Sequence, residues 1–382
     1  MKKHRQRYSQ IKRYKRQRGS VLLIAVFITS VIVAIAARFS GDFQLSVARA
    51  GHSIIGTQLQ HYIYSVEEFA GWVLEQDADD DESNGRYSIN GLQGSYDHKG
   101  EDWMEELAVP VEDAIIKAQL TDALSRFNIN QLVGRPAPYN PLGTFNERFT
   151  TAQQRFMRLL QTHPDNLVDI TLAQSITEAV IDWIDSDSTI TGQGGAEDNY
   201  YSSLDTPLRA ANQPFISVTE LRQIKGVTTD IYRYIAPLLI ALPSDVGFNI
   251  NTALVPVMRS LNQQNIETPL DETDVELLMS ERPLEQQSES AGKQVEVAGG
   301  DTKQAFESVD DFLDSNAFSR AFNNDPDFWP DPEGLRTGSE YFILEVEVII
   351  NDYRRRQISL LKRELTSKGV KTKLLRRTRQ QL

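Results

Sequence analysis

Five carboxylates fall within the seventeen residues from Asp182 to Asp198, on either side of a glycine-rich turn. The first group is Asp182-Trp183-Ile184-Asp185-Ser186-Asp187, and the second, after Gly192, Gly194 and Gly195, is Glu197-Asp198-Asn199-Tyr200-Tyr201. A hard cation such as calcium takes six to eight oxygens from carboxylates, backbone carbonyls and water, and acidic loops supply them. The glycines let the backbone turn its carbonyls inward. The spacing is not that of an EF-hand, whose loop has a fixed length and ends in Glu. An acidic loop is more often a solvated surface than a metal site. Trp183 and the Tyr200-Tyr201 pair weigh against that reading, because they bracket the acids with residues that normally pack. Asp182, Asp185, Asp187, Glu197 and Asp198 are the candidate ligands.

Catalysis has less support. Asp185 and Asp187 could in principle act as an acid and base pair, which leaves a calcium-dependent hydrolase as the alternative, beside a membrane-anchored calcium-binding module. The sequence has no cysteine, so neither a thiol nucleophile nor a thiolate metal site is open to it. It has no G-x-S-x-G, and Gly192-Gln193-Gly194 lacks the third glycine of a dinucleotide fingerprint. No residue is assigned a catalytic role.

A helix over Ser175 to Ile184 must carry the first acids, inside a helical block of residues 121–331. That block repeats itself. Phe127-Asn128-Ile129-Asn130 returns as Phe248-Asn249-Ile250-Asn251, and Phe215 to Leu221 returns as Phe306 to Phe312. Ser217 with Glu220, and Ser308 with Asp311, have the spacing of capping boxes, so each second element opens a helix. Glu285 to Gly300 reads as a flexible insertion. Strand-forming sequence flanks the block. Arg86 to Leu92 and Ala114 to Leu120 precede it, while Tyr341 to Ile350 follows with strong β-branched alternation. Asn351-Asp352 marks a turn, and Arg356 to Leu365 pairs back. The expected fold is α+β: a long N-terminal helix and a small antiparallel sheet (77–120 and 332–367), with a large all-α domain of two repeated units inserted between strands. Asp77 to Gly85 reads as a solvated loop and 368–382 as a basic disordered tail.

The formal net charge of −13 becomes −22 once the nine cations of residues 1–19 are set aside. So acidic a body disfavours nucleic acid, whose phosphates need clustered cations. Leu221 to Val227 resembles a helix-hairpin-helix, and the same acidity opposes a DNA-binding role for it.

The eighteen residues from Ser20 to Ala37 carry no charge, enough to span a bilayer as one helix. The basic stretch before them keeps the N-terminus cytoplasmic. Past Arg38 an amphipathic pattern runs to Leu74, so one helix is expected from Ser20 to Gln76, membrane-spanning over 20–37 and periplasmic over 38–76. A basic leader, Gly19, and a helix apolar from its first residue resemble type IV prepilins and pseudopilins. That resemblance implies cleavage between Gly19 and Ser20 by a prepilin peptidase, then methylation. Members usually carry Glu at the fifth mature position, and here Ile24 stands there. Its absence, the loop Asp182 to Tyr201, the segment Arg209 to Phe215, the F-N-I-N elements and the closing strands are similar to the K-type minor pseudopilins of type II secretion.

The resemblance covers Gly19 to about Leu365. It implies a pilin fold with an inserted α-domain that binds calcium through acids of the Asp182–Asp198 loop. It further implies a non-catalytic subunit at the tip of the pseudopilus, made in the inner membrane with a periplasmic body. The implied partners are the I- and J-type minor pseudopilins, the pseudopilus shaft and the inner-membrane assembly platform. In that family the fifth-position Glu is taken to neutralise a neighbouring subunit's amine, an ion that is costly in hydrocarbon. A subunit with nothing above it has no such amine to meet.

Overall fold

The computed structural model describes residues 18–83, 96–136, 140–280, 305–322, 329–367 and 369–379. Residues 1–17, the strand expected at Arg86 to Leu92 and the insertion at Glu285 to Gly300 lie outside them. The chain divides into two compact units, residues 1–60 and residues 61–382.

In the first unit the described chain is all helix, part of α1 (Arg18–Ser83). Residues 21–50 are exposed throughout, and the segment is long and apolar enough to cross a membrane. Gly41, Gly51 and Gly56 fall inside the helix without ending it.

In the second unit, Ile63, Val66, Ala70, Leu74 and Ala78 of α1 are buried at helical spacing. The helix does not stop at Gln76, and Asp77 to Ser83, expected as a loop, is its last two turns. The reason lies in tertiary contacts. Ala78 is buried, and Asp77 accepts a 2.8 Å hydrogen bond from Arg363, which is itself fully buried.

Two antiparallel strands follow, β1 (Leu107–Val111) and β2 (Ala114–Asp122). The chain then builds two units in succession. The first holds β3 (Phe127–Asn128), α2 (Phe145–Arg148), α3 (Thr151–Leu160), α4 (Ile170–Ile184), α5 (Asp198–Ser202), α6 (Thr229–Ile235) and β4 (Leu239–Ile240). The second holds β5 (Phe248–Asn249), α7 (Val255–Arg259), α8 (Glu272–Ser280), α9 (Val309–Leu313), α10 (Asn316–Phe322) and β6 (Leu335–Arg336). The block is therefore not purely helical. Its first strand pairs in parallel with its last in each unit, β3 with β4 and β5 with β6, so a two-residue ladder closes each helical loop on itself.

The repeat seen in the sequence has a physical cause. Asn130 donates to the carbonyl of Phe215 at 3.0 Å and accepts the amide of Phe215 at 2.7 Å. Asn251 does the same to Phe306, at 3.0 Å in both directions. The last Asn of each F-N-I-N thus grips the Phe that opens its own second element. The first Asn of each motif holds the turn, with Asn128 and Asn249 accepting the amides of Asn130 and Asn251. The two units are joined by Arg158 of α3, a buried guanidinium that donates to the carbonyls of Ser260, Asn262, Gln263 and Ile266.

After the block, β7 (Tyr341–Ile350) returns antiparallel beside β2, and β8 (Tyr353–Thr366) pairs back across a turn at Asn351, whose φ is +51°. Residues 369–378, expected to be disordered, form a further strand β9 (Gly369–Thr378) paired with β8. The sheet runs β1-β2-β7-β8-β9 and is antiparallel throughout. The basic charge that suggested a free tail is met by acids of α1. Lys371 pairs with Glu75 at 2.6 Å and Arg377 with Glu67 at 2.7 Å.

Candidate metal centre

The acidic loop leaves α4, whose N-terminus is capped by Asp169. Burial of Ala173, Ile176, Val180 and Ile184 fixes the helix in the core, so its exit points the loop in one direction. Three of the five candidate acids converge there: Asp185, Asp187 and Glu197 each place an oxygen within 4.8 Å of the others. Glu197 is only 3% exposed. Its Oε1 and the Oδ1 of Asp185 are buried without a hydrogen-bond partner among the described residues, which leaves them as acceptors for a ligand.

The crowding registers in the electrostatics of Glu197 and Asp185. Burial, then the charges of Asp182, Asp185 and Asp187, push the Glu197 carboxyl up to about 7. Burial, then Asp187 and Asp182, raise Asp185. Like charges crowded into a partly desolvated site favour protonation unless a cation is bound. All the donors are carboxylate oxygens, the set that suits a hard cation.

The other two candidates stand apart. Asp182 is fully buried beneath the loop, and both its oxygens lie within reach of the Thr191 amide, at 2.9 and 3.2 Å. Asp198 opens α5, and its Oδ1 accepts the amide of Ala210 at 2.9 Å. That contact anchors the segment Arg209 to Phe215 singled out in the sequence. Trp183 packs edge-on against Tyr201, with ring centroids 5.1 Å apart, so the aromatic bracket forms a core under the loop.

Sequence reasoning missed Glu178. It lies one turn before Asp182 on α4, and its carboxylate accepts the Gly194 amide at 2.6 Å. Its i, i+4 relation to Asp182 was the available signal. The glycines follow from these contacts. Gly192 has φ +59°, and a Cβ there would lie 2.1 Å from Glu178 Oε1; one at Gly195 would lie 2.3 Å from Asp182 Oδ2. The helix-hairpin-helix stretch is turned inward, since a Cβ on Gly226 at its bend would meet Ile176 of α4 at 3.1 Å. That bend packs on the protein's own core.

A long N-terminal helix whose later part packs with an antiparallel sheet, and a helical block placed between two strands of that sheet, define a pilin-like subunit. Residues 125–244 match the family model for type II secretion system (T2SS) protein K. The chain is 35% identical over 240 residues to the type II secretion system protein K of Aeromonas hydrophila, covering 62% of this chain and 68% of that relative. It is 32% identical over 242 residues to the protein K of Pectobacterium carotovorum subsp. carotovorum, covering 62% and 67%. The fold is also similar to a chain in the crystal structure of the GspK-GspI-GspJ complex from the enterotoxigenic Escherichia coli Type 2 Secretion System. That match has a TM-score of 0.63 at 22% identity and covers 86% of this chain and 98% of that one. The chain belongs to the type II secretion system protein K family, the K-type minor pseudopilins.

Proposed function

We propose that this chain is a non-catalytic minor pseudopilin that caps the tip of the type II secretion pseudopilus. In that role it takes part in initiating the pseudopilus and in exporting folded proteins across the outer membrane. The observation that carries the reading is the insertion of the whole two-unit block between β2 and β7. Such bulk suits the end of a filament and would obstruct subunits stacked along its shaft. Ile24 supports the same position, since a terminal subunit has no neighbouring amine to neutralise. The partners are the I- and J-type minor pseudopilins and the shaft, a reading supported by the similar chain from a complex of GspK with GspI and GspJ.

The apolar start of α1 anchors the protein in the inner membrane, its cationic leader cytoplasmic and its body periplasmic. A prepilin peptidase cuts between Gly19 and Ser20 and the new terminus is methylated. Asp185, Asp187 and Glu197 hold calcium, which would neutralise their mutual repulsion and fix the loop against α4.

Mass spectrometry of the N-terminal peptide after co-expression with a prepilin peptidase tests the class-defining step. A methylated terminus at Ser20 is the expected result. An intact leader, or a cut at any other bond, would sink the reading.

A further inference from the structure

We infer that Glu178 is a positioning residue for the cation site, holding the glycine-rich turn that brings Glu197 opposite Asp185 and Asp187. Its metal-binding half rests on the calcium reading above.

Glu178 is buried, at 3% exposure. A buried carboxylate is costly unless hydrogen bonds offset its lost hydration. Here both oxygens are committed. Oε2 accepts the Gly194 amide at 2.6 Å, and Oε1 accepts the side-chain amide of Gln174 at 3.0 Å. The carboxyl also fills the space over Gly192, where any Cβ would collide with it. One turn later on α4, Asp182 takes the Thr191 amide. From the other side Lys225 donates to the Gly195 carbonyl at 3.1 Å.

The turn is therefore fixed at Thr191, Gly194 and Gly195, and Glu197 follows two residues on. The division of labour is visible in the oxygens. Those of Glu178 and Asp182 are occupied by protein donors, whereas Asp185 and Glu197 each keep a buried oxygen unpartnered. Residues behind a metal's ligands orient those ligands, and losing one costs about 10- to 100-fold in metal affinity.

Glu178→Gln and Glu178→Ala separate positioning from ligation. Glutamine keeps an oxygen for the Gly194 amide, and Gln174 can flip its amide to accept the new donor. Calorimetric titration with calcium should therefore give near-normal affinity for Glu178→Gln and a loss of about 10- to 100-fold for Glu178→Ala. Gly192→Ala, which displaces the carboxyl, should resemble the alanine variant. In chelator, amide hydrogen exchange of residues 191–195 should quicken in Glu178→Ala and stay slow in Glu178→Gln. Equal weakening by Gln and Ala would make Glu178 a ligand, and unchanged affinity in Ala would remove its role; either overturns the inference. Failure of the unmodified protein to bind calcium would remove the metal reading and this role with it. The exchange measurement still decides the clamp, which unchanged exchange in Glu178→Ala would overturn.

Discussion

Arg377 on the last strand lies against both carboxylate oxygens of Glu67 on the N-terminal helix, with Nε 3.0 Å from each and Nη2 2.7 Å from Oε2. Two residues 310 positions apart in the chain thus join α1 to the free edge of the sheet. Gln357 and Ser359 of β8 complete the shell around Glu67, at 2.7 and 2.5 Å, and the Arg377 guanidinium sits 4.5 Å from the Tyr64 ring centroid. Removing one member of a buried pair costs roughly 3–5 kcal/mol. Because the Arg377 side chain is 43% exposed, solvent screening lowers that cost. Arg377→Ala should destabilise the helix-and-sheet body by about 1–2 kcal/mol, read from chemical denaturation. Truncation before Gly369 should cost more, and indifference to truncation would show that β9 contributes nothing.

The paired asparagine grips predict a paired phenotype. Asn130→Ala strands the amide and carbonyl of Phe215, and Asn251→Ala strands those of Phe306. A buried orphan costs about 1–3 kcal/mol, so each variant should lose a few kcal/mol. Urea unfolding monitored by tryptophan fluorescence would test this. A large loss at one site and none at the other would break the equivalence of the two units.

Calcium should stabilise the protein only through the converging acids. Chelator should lower the melting temperature of the unmodified protein. Asp187→Ala and Glu197→Ala should melt lower than the unmodified protein in calcium, and differ little from it in chelator. A melting curve of the unmodified protein that ignores chelator rules out the site.

If Glu197 ligates calcium as proposed, protons should compete for the same carboxylate. In the metal-free protein its carboxyl stands at about 7, above its ordinary 4.5. The stabilisation this gives is complete below about 4.5 and is lost as pH rises through 7. Calcium bound there would have to displace that proton, so its affinity should rise as pH climbs through about 7, and Glu197→Gln should flatten the profile. Isothermal titration in buffers of different ionisation enthalpy would count the protons released.

Asp122 offers a second, independent pH signature. It is fully buried at the end of β2, and burial pushes its carboxyl up to about 6 despite hydrogen bonds from Ser339 and Thr252. Asn249 donates to the same oxygen at 3.1 Å, tying the second helical unit to the sheet. A raised carboxyl favours the folded state below its ordinary 3.8, and that advantage fades as pH climbs through 6. In saturating calcium, the stability of the unmodified protein relative to Asp122→Asn should therefore fall from pH 4 to pH 6.5. A constant difference would place the titration elsewhere.

Local chemistry was legible without any coordinates. The uncharged run from Ser20 to Ala37, the alternation of Tyr341 to Ile350 and its Asn351 turn, each four-residue F-N-I-N and the acids from Asp182 to Asp198 all announce themselves over fewer than twenty residues. Periodicity, turn preference and charge density act at that range. The tertiary structure decided what depends on partners far away in the chain. Lys371 and Arg377 read as a charged tail until Glu75 and Glu67 meet them, and Asp77 reads as loop until Arg363 takes it. Five acids looked alike in sequence, and only the path of the turn between them left Asp185, Asp187 and Glu197 facing one another while Asp182 and Asp198 bound backbone amides. A carboxylate's role is set by which donors reach it, and here the turn from Thr191 to Gly195 fixes those donors.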